Sequence, residues 1–501
     1  MPRSRTSSSV ELLVTLRREI PTPIHRQLEH ELRDAVRAGR LRAGSVLPST
    51  RQLADQLDVS RGVVVEAYEQ LVAEGYLTSR PGRATQVASV AAGAPTAELR
   101  TSSPEPSVDF RYGRPDVSLF PRNLWLRSLR RVLTEAPSDR LNYLDARGAA
   151  ELRDALAAYL SRVRGTAADA DRIVISTGFA QALTLVSNVL RASGARRLGV
   201  EDPSETSVAE VARSAGLQVV AIPVDEWGLR VDALDRADLD AVVVTAAHQF
   251  PTGAVLPPDR RAALVAWATE RGGLIIEDDY DAEFRYDREP IGAIQGLAPD
   301  RVIYAGSASK TLAPGLRLGW LLVPAALVED VAAAKQAADR GSPALDQLAF
   351  ADFLSRGEFD HHLRRMRPIY RRRRDVLLRS LARHLPELRP AGASAGLHVL
   401  AWLPDGLAEA AVIDASAALG VAVYGLSPYR MSEWDGPAAL LFGYSHLTES
   451  AIEEGVRILA VAIHTARRST SRVAAGAMEL QGRRHGTVPL DETAGDRRAV
   501  P

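Results

Sequence analysis

Cysteine is absent from the 501 residues. That removes disulfides, thiolate metal sites and cysteine nucleophiles, and no metal site is expected. Lysine is nearly absent too: of 62 basic residues only Lys310 and Lys335 are lysines. Arginine serves as well as lysine for solubility and most ion pairs, but its guanidinium stays protonated and cannot form a Schiff base. A lysine retained in such a chain is therefore a candidate for amine chemistry. Lys335, in the helix-like stretch VEDVAAAKQAADR, reads as a solvated face position, which leaves Lys310. No apolar run approaches the roughly 18 residues that cross a bilayer. The first residues, MPRSRTSSSVELL, lack an apolar core followed by a cleavage site, so no secretory signal is expected. By elimination the chain is expected in the cytoplasm. Formal net charge is zero, so the global charge gives no argument for nucleic acid.

What is present is a chain too long for one ordinary core, with the 46% hydrophobic and 25% charged content of a globular protein. Residues 1–20 read as a loose leader. From 21 to 88 the pattern is helix, helix, helix and two short strands. IHRQLEHELRDAVRAG spaces Ile24, Leu28, Leu32 and Val36 at helical intervals. Ser49 and Gln52 form a capping-box pattern ahead of QLADQL. After the turn LDVS, Ser60 is placed to cap RGVVVEAYEQLVAEG, and YLTSR and ATQVA flank a Pro81–Gly82 hairpin signal. Residues 89–108 are rich in Ala, Ser, Pro and Thr and read as a linker. From 109 to 467 strand-like runs (RIVIST, DAVVVTAAH, GLIIEDD, RVIYAGS) alternate with helices, the pattern of a mostly parallel sheet covered by helices. Residues 468–501 are poor in large apolar groups, and a disordered tail is expected there.

Two helices joined by a tight turn suit a helix-turn-helix. The second presents Arg61 and Gly62 at its exposed start beside Ser60, while Val63, Val64, Ala67 and Leu71 turn to the core. Ser49, Thr50 and Arg51 open the preceding helix, whose free amides favour a phosphate. Arg80 and Arg83 mark the tip of a wing. Charge does not separate this reading from a small helical interaction domain, since residues 21–88 hold nine Arg against eight Asp or Glu. The segment GRLRAGSVLPSTRQLADQLDVSRGVVVEAYEQLVAEGYL resembles the winged helix of GntR-type repressors. The resemblance implies DNA contacts from Arg51, Arg61 and the wing, with Gly62 and GRAT as departures.

The segment YAGSASKTLAPGLRLGWL places Lys310 on a loop beyond a strand ending at Ser307. Ser307, Ser309 and Arg317 are near it as phosphate donors. Upstream, GLIIEDDYD offers Asp278 at a strand end for a pyridine nitrogen and Tyr280 for a ring oxygen. STGFAQAL reads as strand, turn and helix start, with amides at Gly178, Phe179 and Ala180 for a phosphate. Each piece alone is common; in this order, on strand ends, they answer the needs of pyridoxal 5'-phosphate (PLP). The stretch resembles fold-type I aminotransferases.

HQFPTG, EDDYDAEFRY and SASKTLAPGLRLGW, together with the N-terminal module, resemble the MocR/GabR regulators. That resemblance implies a Schiff base at Lys310, Asp278 on the ring nitrogen and Tyr280 on the ring oxygen. It also implies phosphate contacts from Gly178, Phe179, Ser307, Ser309 and Arg317. Tyr143 in NYLDARGAAELR is similar to a tyrosine reaching the neighbouring subunit's phosphate, so a homodimer is implied. Three departures bear on chemistry. Glu205 stands where a ring-stacking aromatic is usual, and Phe250 where aminotransferases carry an asparagine. The strand AALLFGYSHL lacks their carboxylate-binding arginine, although Arg430 is near in sequence. The arginine-rich run RRMRPIYRRRRD reads as a solvated helix face paired with acids.

The expected fold class is an α/β main domain of the fold-type I PLP-dependent transferase type, mostly parallel sheet with a small C-terminal α+β subdomain, behind an N-terminal winged helix-turn-helix. The expected function is a PLP-dependent transcription regulator. Its expected partners are double-stranded operator DNA, an amine, amino acid or PLP effector, and a second copy of the chain, with no membrane. The alternatives are an active aminotransferase with an appended DNA-binding domain, and a cofactor-free dimeric repressor.

Overall fold

The structure, a computed structural model, describes residues 16–79, 84–89, 106–286, 291–392, 394–433 and 436–484, with side chains as far as Arg468. Two compact units divide at residue 103. No described helix is long and apolar enough to cross a membrane.

The N-terminal unit holds α1 (Ile24–Arg37), α2 (Thr50–Leu57), α3 (Arg61–Ala73), β1 (Leu77–Thr78) and β2 (Gln86–Val87). The helical spacing of α1 delivers Leu28, Leu32 and Val36 to one core with Leu53 of α2 and Val64, Ala67 and Leu71 of α3. Leu77 and Val87, paired across the antiparallel hairpin, close that core. The capping box forms: Ser49 Oγ accepts from Gln52 N at 3.3 Å while Ser49 N donates to Gln52 Oε1 at 3.0 Å. Ser60 holds the N-cap position of α3, but its side chain makes no capping hydrogen bond. That expectation is corrected, since the backbone supplies the first-turn contact, Val63 N to Ser60 O at 3.1 Å. Val63 is also only partly buried, one helical position off the core stripe. The hairpin tip with Arg80 and Arg83 lies outside the described residues.

The larger unit opens with β3 (Val108–Asp109), α4 (Arg122–Glu135) and α5 (Ala150–Arg164). There follow β4 (Ile173–Ser176), α6 (Phe179–Ala192), β5 (Arg197–Asp202), α7 (Thr206–Ser214), β6 (Gln218–Asp225) and β7 (Gly228–Leu229). Next come β8 (Ala241–Val244), α8 (Pro258–Arg271), β9 (Leu274–Asp279), β10 (Val302–Ser307) and β11 (Gly319–Leu322). The strands from β4 to β11 form one eight-stranded sheet in the order β4-β11-β10-β9-β8-β5-β6-β7. The pairs from β10 through β9, β8 and β5 to β6 are parallel, and β11 and β7 run antiparallel to their neighbours. Runs such as AVVV and LIIEDD are apolar at successive positions because both faces are covered. Val243 and Ile276 face α6 and α7, whereas their neighbours Val242 and Ile275 face Leu264 and Trp267 of α8.

The chain then runs through α9 (Val328–Asp339), α10 (Ala344–Ser355) and α11 (Glu358–His384) into a smaller antiparallel sheet. This region comprises β12 (Arg389–Ala391), β13 (His398–Trp402), α12 (Glu409–Ala418), β14 (Val421–Ala422), β15 (Tyr424–Gly425) and β16 (Ala439–Gly443). Its sheet order is β12-β13-β16-β15, with β14 pairing β3 instead. The last helix, α13 (Glu449–Arg484), continues past the boundary expected at 467. RVAAGAMELQGRR is built mostly of good helix formers, which composition-based reading of a polar tail overlooks.

Candidate cofactor site and DNA-binding face

Because β4, β5, β8, β9 and β10 point the same way, their carboxyl ends share one edge of the sheet, where ligands of open parallel sheets bind. A cavity of about 300 Å³ opens there. Lys310, in the turn after β10, reaches into it and its Nζ donates to the Gly113 carbonyl oxygen at 2.8 Å. Burial pulls the ammonium below its ordinary pKa, opposed by the charges of Asp281, Asp278 and Glu205. Asp278 lines the same cavity from the end of β9, level with Ala305 of β10. Burial, reinforced by Asp279, pushes its carboxyl well above the usual range, while Lys310 opposes the rise.

On one side the cavity is a cradle for an anion. Gly178 adopts φ +117° between β4 and α6, and a Cβ there would lie 3.2 Å from Arg317 Nη2. Only glycine lets the guanidinium come this close to the start of α6. The first-turn amides of α6, at Phe179 and Ala180, have no intrahelical acceptor, and both residues line the cavity with Arg317, Ser307 and Ser309. Ser307 Oγ donates to Ser309 Oγ at 2.8 Å and accepts from Ser309 N at 3.1 Å, fixing the two hydroxyls beside each other.

The opposite wall is aromatic and acidic. Phe250 packs 5.1 Å from Tyr112, 5.4 Å from Tyr429 and 5.4 Å from His398. Glu205 accepts from Tyr112 OH at 3.4 Å, and burial raises its pKa against the pull of Lys310. Tyr280 lines the cavity, but its hydroxyl donates to the His248 carbonyl oxygen at 3.0 Å. His248 Nδ1 lies 3.0 Å from Asp281 Oδ2, and both side chains are only 1% exposed. Burial lowers the His248 pKa, but the charge and hydrogen bond of Asp281 outweigh it and the net shift is upward. His398, beside it at 5.1 Å, is held down to about 3 by burial.

In the N-terminal unit Arg51, Ser60, Arg61 and Gly62 are exposed at the starts of α2 and α3. Arg61 Nε donates to Thr50 Oγ1 at 3.4 Å, which brings the two helix starts together. Ser49 Oγ is occupied by its cap, leaving Thr50, Ser60 and the helix amides as neutral donors on this face.

The family of bacterial regulatory proteins named gntR matches residues 24–87, and aminotransferase class I and II matches residues 116–459. The probable rhizopine catabolism regulatory protein MocR of Rhizobium meliloti is 31% identical over 472 residues, 89% of this chain and 95% of that protein. This chain belongs to the MocR-type regulators. The pyridoxine biosynthesis transcriptional regulator PdxR of Corynebacterium glutamicum is 33% identical, covering 88% of this chain and 96% of that one. Among solved structures, LysN, the alpha-aminoadipate aminotransferase of Thermus thermophilus, shares 28% identity with a TM-score of 0.65 over 72% of this chain and 93% of that one. LysN was solved with N-(5'-phosphopyridoxyl)-L-leucine. This MocR-type protein is accordingly a PLP-dependent transcription regulator, DNA-binding through its GntR module and aminotransferase-like in its body. The donor set fits the cofactor: a buried amine, a strand-end carboxylate and an anion cradle that a Cβ at Gly178 would fill.

Other expectations separate from that cavity. Tyr143 is 80% exposed and borders a second cavity with Asp339 and Ser342, not the one around Lys310. Arg430 borders a small cavity with Asp202 and Pro203 instead. Lys335 is not solvated: it is fully buried, donating to Asp339 Oδ2 at 2.5 Å and Ser342 Oγ at 2.9 Å. Its i,i+4 acid makes that burial tolerable, a pairing the helical reading did not weigh. The sequence reading also passed over Tyr112, Gly113, Asp281 and His398. Asp281 adjoins Tyr280 in EDDYD, which was a usable signal; His398, inside the apolar run GLHVLAW, gave none.

Proposed function

We propose that Lys310 holds PLP covalently and that the loaded body is the sensor of a cytoplasmic, dimeric repressor or activator. The observation that carries this reading is the placement of Lys310 Nζ, in one cavity with Asp278 and with the Gly178–Arg317 cradle. When bound, PLP supplies an electrophilic carbon that accepts a primary amine. The chain's residues do the rest. Asp278 holds a proton at the ring nitrogen. Arg317, Ser307, Ser309 and the amides of Phe179 and Ala180 orient the phosphate. Burial lowers the pKa of the Lys310 ammonium, which favours the free amine that acts as nucleophile. Tyr280 reaches the ring oxygen if its hydroxyl turns from the His248 carbonyl.

The exposed phenol of Tyr143 supports a second chain donating it to the neighbour's phosphate. Arg51 and Thr50 serve as phosphate contacts and Arg61 with Gly62 as the edge that enters the major groove, and Arg80 and Arg83 are proposed as further DNA contacts. An amine or PLP itself, by favouring one state of the body, biases how the dimer presents its two winged helices.

The test is spectroscopic. Purified chain mixed with PLP should gain an absorbance band above 400 nm (roughly where lysine-linked pyridoxal absorbs, by the chemistry of the conjugated imine), and Lys310→Ala should lack it. Identical spectra would end the sensor reading. Effector-dependent DNA binding retained in Lys310→Ala would favour a cofactor-free repressor.

A further inference from the structure

The charges lining the cavity are unequal in a way that selects a ligand. Lys310 and Arg317 are its cationic lining residues, and Glu201, Glu205, Asp278 and Asp281 its acids. On the reading above, Lys310 carries the cofactor, Arg317 faces the anion cradle and Asp278 the ring. Glu201 is taken up by Thr245, whose Oγ1 donates to it at 2.5 Å, and Asp281 by His248. What remains for a small molecule is Glu205 with the rings of Tyr112 and Phe250.

No cation among the described lining residues is left to receive a carboxylate. His398 is held neutral by burial. Arg430 borders a different cavity with Asp202, and Arg111 donates to Tyr424 OH at 2.9 Å. Glu205 by contrast is poised at the wall. Its Oε2 takes the Tyr112 hydroxyl at 3.4 Å, and the Tyr112 ring stands 5.1 Å from Phe250 and 5.5 Å from Tyr429. Aromatic faces beside a carboxylate attract a cation and disfavour an anion.

We propose that the effector is a compact amine bearing a second positive charge and no carboxylate, with its reactive nitrogen directed toward the Lys310 end of the cavity and its second charge toward Glu205. This rests on Lys310 holding PLP, so the two are tested apart.

The experiment uses the full chain loaded with PLP and titrates diaminobutane, butylamine and aminobutyrate, following the cofactor absorbance. Diaminobutane should half-saturate at about tenfold lower concentration than butylamine, the ratio expected of one favourable charge contact, and aminobutyrate should be the weakest. Glu205→Gln should erase most of the advantage of the diamine. Glu205→Arg should reverse the order in favour of aminobutyrate, a gain that a misfolded variant cannot mimic. Aminobutyrate binding as tightly as diaminobutane in wild type, or an unchanged order in both variants, overturns the proposal. If wild type takes up no PLP, it is the Lys310 reading that fails. The charge preference is then read from melting of the PLP-free chain, where diaminobutane should raise the midpoint more than aminobutyrate does, and equal shifts count against it.

Discussion

Two histidines of the body are buried and neutral for the same reason. His398 lies on β13 with Nε2 3.2 Å from the Pro251 carbonyl oxygen, and His362 on α11 has Nε2 2.9 Å from the Thr311 carbonyl oxygen. Burial lowers their pKa values to about 3 and about 4. The unfolded chain, with histidine near 6.5, therefore binds protons that the folded body refuses. A depressed folded pKa means stability is full above about pH 6.5 and is lost as pH falls toward 4 and then 3. Buried acids with raised pKa, Asp278 and Glu205 among them, act with the opposite sign, so the histidine contribution is read by difference. Between pH 7 and pH 5 the melting midpoint of His398→Asn should fall less, or rise more, than that of the wild-type chain. An unchanged slope would show that His398 is not the group responsible. Sequence alone flagged neither histidine, since nothing in a strand's apolar run marks which side chain is solvent-free. It did flag Lys310, through scarcity, but scarcity applied equally to Lys335, whose burial by Asp339 only the packing reveals.

At the scale of elements, α11 bears out its charge run in part. Its seven arginines from 364 to 374 were expected to be a solvated face paired with acids. Arg364, Arg365, Arg371 and Arg372 are exposed, and Arg372, Arg373 and Arg374 pair with Glu449, Asp116 and Asp375. The inner side of the run departs from the expectation. Arg367 Nε donates to the Glu283 carbonyl oxygen at 2.7 Å, and the Arg374 guanidinium lies 4.9 Å from the Tyr286 ring centre. Arg373 joins Asp116 Oδ2 at 2.8 Å and also donates to the Ser445 carbonyl oxygen, so one side chain ties α11 to the segments before α4 and after β16. Long apolar stems let arginines on the inner half of a helix cover apolar surface while their heads find partners. The Arg373–Asp116 pair is only 12% and 10% exposed. Arg373→Ala should therefore destabilise the body by about 3 kcal/mol, the low end of the range for removing one partner of a buried pair, measured by urea unfolding. A loss below about 0.5 kcal/mol would place the pair with ordinary surface bridges. The strands and helices around the sheet were legible because each carries its own periodicity. The pairing of β3 with β14, some three hundred residues apart in sequence, was not, because two-residue strands leave no pattern.

The order of the two units could be read from the sequence because each carries local motifs, whereas the contents of the cavity could not. Its acids and aromatics converge from β3's exit, the start of α7, the turn after β8 and β13. Phe179, Ala180, Asp278, Tyr280, Ser307, Ser309, Lys310 and Arg317 sit in stretches whose spacing announces them, and the other lining residues do not. The same difference applies to DNA binding, where the helix starts are clear and the roles of their arginines are assigned by measurement on the whole chain. Arg51 and Arg61 are both exposed at adjacent helix starts, yet Arg61 already donates toward Thr50. If Arg51 neutralises a phosphate, Arg51→Ala should weaken binding evenly across operator variants and reduce the slope of log affinity against log salt by about 1. If Arg61 reads a base edge, Arg61→Ala should instead relax discrimination at one position, with a cost of about 1–3 kcal/mol on the preferred sequence. Affinity titrations of full-length chain against a family of single-base operator variants, at several salt concentrations, separate the two. An even loss for both arginines would make the whole face a phosphate clamp and move base reading to the wing.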